Sequence, residues 1–381
     1  MIQTPLSPRP AQPGENTPPS REKDFLFVCR AGYETVLREE IAERVGKSGR
    51  PAGFGKDWRA RNGVVLLPQP DADAKNALAS GEFVFERQRL PEASPVLAAS
   101  IKTFAQAVIQ DHFPLIDRSD LPWTLHAFTP DVEEFKSLRP RVKNIEKALL
   151  EKLKKRFGRM RRRYAPAQTL GGSDAYLVVQ LCMDQPGRVY LSIGPKTPLI
   201  HPFPGGEQRM SFDPRSPSRS YLKLSEAVSR LRETPLAGQT AADLGAAPGG
   251  WSYFLLKAGC RVTAVDRGPL KIKDPSALPG ELKIVDTDGM RFAPEDERRP
   301  FDWMCCDMLR PPRQTLQLLE QWIARSWMRR FVVNVKLPQK NPLTLVREAE
   351  DFLAKQDLAF YKIKQLYHDR DEITLMGRLK A

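Results

Sequence analysis

Five residues capable of acid, base or hydrogen-bonding chemistry recur at one kind of place in this chain, the end of an apolar run. Asp243 follows TAA, Asp266 ends VTAVD, Asp288 follows LKIV closely, Asp307 follows FDWMCC and Lys336 follows FVVNV. A small-residue loop, Gly245-Ala246-Ala247-Pro248-Gly249-Gly250, comes just after the first of them. Trp251 to Ala258 has helical character and leads to the second run. Strand, glycine loop, helix, strand with a terminal acid is a βαβ nucleotide-binding unit. Glycines let loop N–H groups lie against a ligand. Asp266, 16 residues after Gly250, is placed to accept hydrogen bonds from ribose hydroxyls.

The loop departs from the dinucleotide fingerprint. Counted from Gly245, G-x-G-x-x-G needs glycine at 247, which is Ala, and Pro248 removes one phosphate-facing donor. An acid just ahead of the loop, Asp243, suits a cationic or zwitterionic ligand better than a pyrophosphate. S-adenosyl-L-methionine, with its ammonium and sulfonium, meets that description. One Asp after a strand is commonly a turn or helix cap. Five in register point instead to the carboxyl edge of an open α/β sheet, where ligands bind.

The elements needed to carry these residues are legible in order. Residues 207–381 read as a doubly wound, Rossmann-like methyltransferase sheet. Its last two strands, joined by the short turn His368-Asp369-Arg370-Asp371, must be antiparallel. Residues 1–22 are a proline-rich tail of disordered composition. Residues 23–92 alternate short strands and helices as a ferredoxin-like α+β module. Residues 93–194 hold a helix from Val96 to Ile109, a strand at TLHAF, a basic helix and a hairpin. A Pro/Gly-rich linker, 195–206, follows.

Of the net charge of +14, most sits between Lys136 and Arg163, with 13 Lys/Arg against Glu146 and Glu151. Val142, Ile145, Leu149, Leu153 and Phe157 recur at helical spacing, so one stripe is apolar and the other side basic. The tract Arg159 to Arg163 reads as a loop. So dense a patch is the footprint of a phosphate-backbone binder. Lys152, Lys154, Lys155, Arg156, Arg159, Arg161, Arg162 and Arg163 are the candidate RNA contacts. The bland reading is a solvated helix face.

Cys29, Cys182, Cys260, Cys305 and Cys306 form no CxxC pair, and His112 and His126 have no partner at ligand spacing, so no metal site is supported. No apolar run reaches the ~18 residues that span a bilayer, and no signal pattern opens the chain. A soluble cytoplasmic protein, monomer or weak homodimer, is expected.

At this point residues 205–381 resemble the RrmJ/FtsJ-type 2′-O-ribose RNA methyltransferases. The resemblance rests on DLGAAPGGW, VTAVD, CDM, VNVKLP, RDEITL and, upstream, SRSYLKL. It implies a Lys-Asp-Lys-Glu tetrad of Lys223, Asp307, Lys336 and Glu372. It also implies cofactor contacts from Ser220, Ala247, Pro248, Gly249, Gly250, Asp266, Asp288 and Asp307, beside the loop residues Asp243 and Gly245. Over the whole chain, FLFVCRAGYE, VKLPQK and QLYHDRDE look like the RlmM-type bacterial enzymes. That likeness implies a THUMP-like RNA-binding module in the first half and a cytidine ribose of 23S rRNA, or of a large-subunit precursor, as acceptor. Lys336 is then the candidate base, oriented with Lys223 by the two acids.

Three rivals stand beside this reading. Cytosine-C5 methylation would need Cys305 or Cys306 as nucleophile, although both lie inside a strand. A catalytically silent RNA-binding or ribosome-assembly protein would leave the tetrad unused. An NAD-dependent dehydrogenase is disfavoured by the loop.

Overall fold

The computed structural model describes residues 23–46, 58–166, 169–170 and 175–380; the proline-rich tail lies outside them. The first half holds β1 (Asp24–Cys29), α1 (Glu34–Gly46), β2 (Arg59–Arg61), β3 (Val64–Leu67), α2 (Ala72–Ser80) and β4 (Glu86–Leu97). These are followed by α3 (Ile101–Asp111), α4 (Phe113–Asp117), β5 (Trp123–Phe128), α5 (Arg139–Arg156), α6 (Gly158–Arg163), β6 (Leu177–Gln185) and β7 (Arg188–Pro195). All seven strands join one sheet in the order β2-β3-β1-β4-β7-β6-β5.

The reason is β4. Its first part pairs with β1, Leu26 opposite Leu90, and its last part pairs with β7, Val96 opposite Val189. The boundary expected between residues 92 and 93 therefore falls inside one strand. Val96, expected to open a helix, is a strand residue because β7 takes up that stretch of backbone. The helix starts at Ile101, where Ser100 and Thr103 form a reciprocal capping box.

On α5 the apolar stripe Val142, Ile145, Leu149 and Leu153 is buried against α3 and the sheet. The arginine tract expected to be a loop is the short helix α6, and Met160 at its centre is buried. The Trp123 indole donates to the Met160 carbonyl at 2.9 Å, which ties that turn to β5.

The second half holds α7 (Tyr221–Leu231), β8 (Thr240–Leu244), α8 (Gly250–Lys257), β9 (Arg261–Val265), β10 (Glu281–Val285) and β11 (Phe301–Cys306). Then come α9 (Pro312–Ala324), β12 (Met328–Lys336), α10 (Pro342–Ala354), β13 (Leu358–Lys364) and β14 (Glu372–Leu379). The strand order is β10-β9-β8-β11-β12-β14-β13, with β8 to β12 parallel and β14 antiparallel to both neighbours. Central β12 is buried on both faces through Phe331, Val332, Val333 and Val335, which explains its unbroken apolar text. The doubly wound sheet with an antiparallel late strand is as expected.

The two halves pack through one core that runs from Phe25 and Leu37 to Leu345 and Val346. Arg44 pairs with Glu350 and Arg347 with Glu43. Around the turn before β14 the first half forms a collar. Arg30 donates to the Asp369 carbonyl at 3.2 Å, Arg87 to the Tyr367 carbonyl at 3.3 Å, and the Tyr33 hydroxyl to Asp371 at 3.1 Å. Among the described residues no helix is long and apolar enough to cross a membrane.

Candidate active site

Four charged side chains from four elements converge at the carboxyl edge of the second sheet. Lys223 projects from α7, which buries Leu224, Ala227 and Val228. Asp307 is the first residue after β11. Lys336 ends β12 directly opposite Glu372, which opens β14. Register alone therefore joins this last pair.

Glu372 takes one lysine on each oxygen, Lys223 Nζ at 2.5 Å from Oε1 and Lys336 Nζ at 2.5 Å from Oε2. Lys223 also lies 3.4 Å from Asp307. The Glu372 side chain is 2 % exposed and Lys223 14 %, whereas Lys336 is 34 % exposed and opens outward. Burial alone would raise the Glu372 carboxyl, but Lys223 first and then Lys336 hold it down at about 2. Burial would likewise lower Lys223, yet Asp307 and then Glu372 outweigh it and raise the amine. Lys223 is thus kept as an ammonium, and Lys336 is the more exposed of the two lysines.

A cavity of about 350 Å³ adjoins this cluster. Its lining includes Gly245, Ala247, Asp266, Asp288 and Asp307, all expected from the sequence, together with Met308, Leu309 and Arg310, which were not. Its size is that of a small-molecule site. Three carboxylates around one cavity suit a ligand carrying ribose hydroxyls and a cationic amino-acid end, so the donor set fits S-adenosylmethionine. Asp266 accepts from Ala247 N–H at 3.0 Å and Gly268 N–H at 2.7 Å, which fixes the loop to the end of β9. The Met290 N–H, with Arg310 at 2.8 Å, keeps Asp288 below the usual carboxylate range. Asp307 borders both the cavity and the lysines.

The remaining loop residues are placed differently. Asp243 is 1 % exposed beneath the loop and accepts from the Ser252 hydroxyl at 2.6 Å; burial pushes its carboxyl up to about 7. Pro248, Gly249, Gly250 and Ser220 are not in the cavity lining. A Cβ on Gly250 would sit 2.3 Å from Ser220 Oγ, and one on Gly249 2.7 Å from Ile272. These glycines let the 217–220 segment approach the start of α8, where the Trp251 indole donates to the Ser220 carbonyl at 2.9 Å.

Gly245 has φ +79°, and a Cβ there would lie 2.3 Å from Met308 Cγ. Gly245→Ala is therefore expected to cost about 1–3 kcal/mol of stability. It should also weaken S-adenosylmethionine binding about tenfold, read by calorimetric titration; unchanged affinity would mean that Met308 moves aside freely.

Cys305 and Cys306 are buried in β11, and burial pushes the Cys306 thiol up to about 12. Neither is placed as a nucleophile. His126 is a buried core histidine that burial lowers to about 4. Among the described residues no three His, Cys, Asp or Glu are arranged to hold a metal ion.

Of the basic residues, Lys152, Lys154, Lys155 and Arg156 lie on α5. Arg161 and Arg162 on α6 are exposed, and so is Lys155. Arg159 is exposed but paired with Asp120. Arg163 turns inward and donates to the Leu121 and Ile116 carbonyls at 3.3 Å, so it also anchors α6. Sequence reading missed Asn334, Thr374 and Asp369, which lie behind Asp307. A lone Asn in the apolar run FVVNV, two residues before Lys336 and hence on the same strand face, was the available signal.

Known proteins agree with this architecture. The family of FtsJ-like methyltransferases matches residues 216–356. The ribosomal RNA large subunit methyltransferase M of Halorhodospira halophila is 32 % identical over 370 residues, covering 94 % of this chain and 97 % of the relative. The protein of the same name from Chromohalobacter salexigens is 32 % identical over 376 residues, covering 92 % and 97 %. That from Azoarcus sp. is 31 % identical over 373 residues, covering 93 % and 96 %. Likeness at this level runs through both halves of the chain. The chain is a methyltransferase and belongs to the ribosomal RNA large subunit methyltransferase M family.

Proposed function

We propose that this chain methylates the 2′-hydroxyl of a ribose, that of a cytidine, in 23S rRNA or its large-subunit precursor, with Lys336 as the base. The observation that carries the reading is the bridging of Lys223 and Lys336 by one buried carboxylate, next to an aspartate that borders the cofactor cavity. Bound S-adenosylmethionine supplies a methyl group already activated on a cationic sulfur. What the protein adds is alignment and a proton acceptor.

Lys336, when neutral, takes the 2′-hydroxyl proton as the oxygen attacks. Glu372 holds the Lys336 amine in place and afterwards stabilises the ammonium it becomes. Lys223 stays charged, keeps Glu372 ionised and fixes Asp307 at the border of the cavity. A cytoplasmic enzyme, monomer or weak homodimer, goes with such a substrate.

The test is transfer of labelled methyl to unmodified large-subunit rRNA, followed by mapping of 2′-O-methyl sites. Label on a base, or binding without transfer, would overturn the reading.

The exposed arginines of α6 are read as phosphate contacts. Arg161→Ala combined with Arg162→Ala should weaken binding to RNA of any sequence and lower the slope of log affinity against log salt by about 1–2. Filter binding at several salt concentrations measures this; an unchanged slope would mean that α6 faces solvent only.

A further inference from the structure

Behind Asp307 stands a row of buried polar side chains that the reaction above does not use. Asn334 Nδ2 donates to Asp307 Oδ1 at 2.9 Å. Asn334 faces Thr374 across β12 and β14, with Thr374 Oγ1 2.8 Å from Asn334 Oδ1. Thr374 Oγ1 is also 2.9 Å from Asp369 Oδ2. All three are buried, where a polar group needs a hydrogen-bond partner.

Counting protons gives the row a direction. Asp307 accepts from Lys223, so the amide nitrogen of Asn334 must be the end that faces it. That leaves Asn334 Oδ1, which only accepts, for Thr374. The single hydroxyl proton of Thr374 then points at Asn334, and its oxygen offers Asp369 only lone pairs. The Asp369 contact is a hydrogen bond when Asp369 Oδ2 carries a proton. The same Oδ2 accepts from the Leu366 N–H at 2.9 Å. One atom that both accepts and donates is a hydroxyl, which an Asn amide cannot imitate. The other oxygen, Oδ1, is buried without a hydrogen-bond partner among the described residues, a cost far smaller for a neutral carbonyl than for an anion.

We propose that Asp369, Thr374 and Asn334 form a directional hydrogen-bonded relay that positions Asp307 against Lys223 for methyl transfer. The relay rests on the reading of the tetrad given above. Burial pushes the Asp369 carboxyl up to about 8; the Leu366 N–H and Lys223 oppose this, while Glu372 and Glu226 add to it. On its own turn His368 pairs with Glu226, Asp371 accepts from Tyr33, Arg370 N–H donates to Glu372, and Arg30 contacts the Asp369 carbonyl. Once Asp369 ionises, the Thr374 proton turns towards it, Asn334 Oδ1 loses its donor and the amide no longer fixes Asp307. The relay thus sets an alkaline limit on the rate.

Thr374→Val keeps the shape and removes the hydroxyl. Single-turnover methyl transfer should fall about tenfold, the scale of outer partners of a reactive site. The alkaline limb of the pH profile should vanish, with S-adenosylmethionine affinity within about twofold of wild type. Thr374→Ser should restore both rate and limb. Infrared difference spectra at neutral pH should show a protonated-carboxyl band that Asp369→Asn removes. A wild-type rate and limb in Thr374→Val, a Thr374→Ser enzyme without the limb, or a band indifferent to Asp369→Asn would each overturn the relay. Should Thr374→Val not fold, Thr374→Ser and the wild-type band still decide. Activity retained in Lys336→Met would instead sink the tetrad reading, so the two failures are distinguishable.

Discussion

Lys336→Met is expected to lower the single-turnover rate of methyl transfer by about 10²–10⁴-fold, the usual contribution of a positioned general base. Methionine preserves the length and apolar stem of the lysine and removes only the amine. Lys336 does not line the cavity, so the dissociation constant for S-adenosylmethionine should stay close to wild type. Stability should change little, because Glu372 keeps its second partner, Lys223, at 2.5 Å. The combination matters: slow transfer with intact donor binding separates a base from a structural cation. Transfer at the wild-type rate would move the base elsewhere. Lys223 is the poorer candidate, since Asp307 and Glu372 raise its amine against the pull of burial.

The second large effect is expected at Glu372. Glu372→Gln leaves two lysines facing an amide that can accept from one and must present donors to the other. Breaking a buried pair by removing one partner costs about 3–5 kcal/mol. Glu372 is almost wholly buried between its cations, so a loss of that order is expected in urea titrations, with transfer lost as well. The sign of the pH dependence follows from the held-down carboxyl. A lowered carboxyl contributes stability above its unfolded value of about 4.3 and loses it as pH falls towards about 2. Wild type should therefore lose stability across that window, and Glu372→Gln should lose less. Parallel acid-unfolding curves for the two proteins would contradict the pairing.

The strand-end residues were legible because the period of a strand and the rule for open sheets together fix which edge they reach. Asp266, Asp288, Asp307 and Lys336 are where that reasoning put them. The reason given for the glycines was only partly right. Gly245 and Ala247 do line the cavity, but Gly249 and Gly250 are small because Ile272 and Ser220 press against them. No local pattern reports an approach by residues 23 to 30 positions away. Asp243 reads as a ligand in the sequence, yet it is buried under its own loop and satisfied by Ser252.

The first half was read as two modules because each alternates strands and helices at its own short period. That β4 serves both depends on pairing with β7, about 95 residues later, and Pro91 and Pro95 within β4 made a break look natural. Asp369 was visible only as a turn residue. Its place behind Thr374 and Asn334 comes from the antiparallel ladder, which brings together side chains 35 to 40 residues apart.

The collar of Arg30, Tyr33 and Arg87 around residues 367–371 bears on how such an enzyme is retargeted. Those three side chains come from the half read as holding RNA, yet Arg30 and Arg87 hold backbone carbonyls, and Tyr33 the Asp371 carboxylate, of the turn that presents Glu372. The two halves are therefore not interchangeable parts joined by a tether. A chimera with a foreign recognition half would inherit the cofactor cavity intact but a catalytic turn without its clamp. Replacing the first half on this scaffold means keeping the β1 and β4 edge in place.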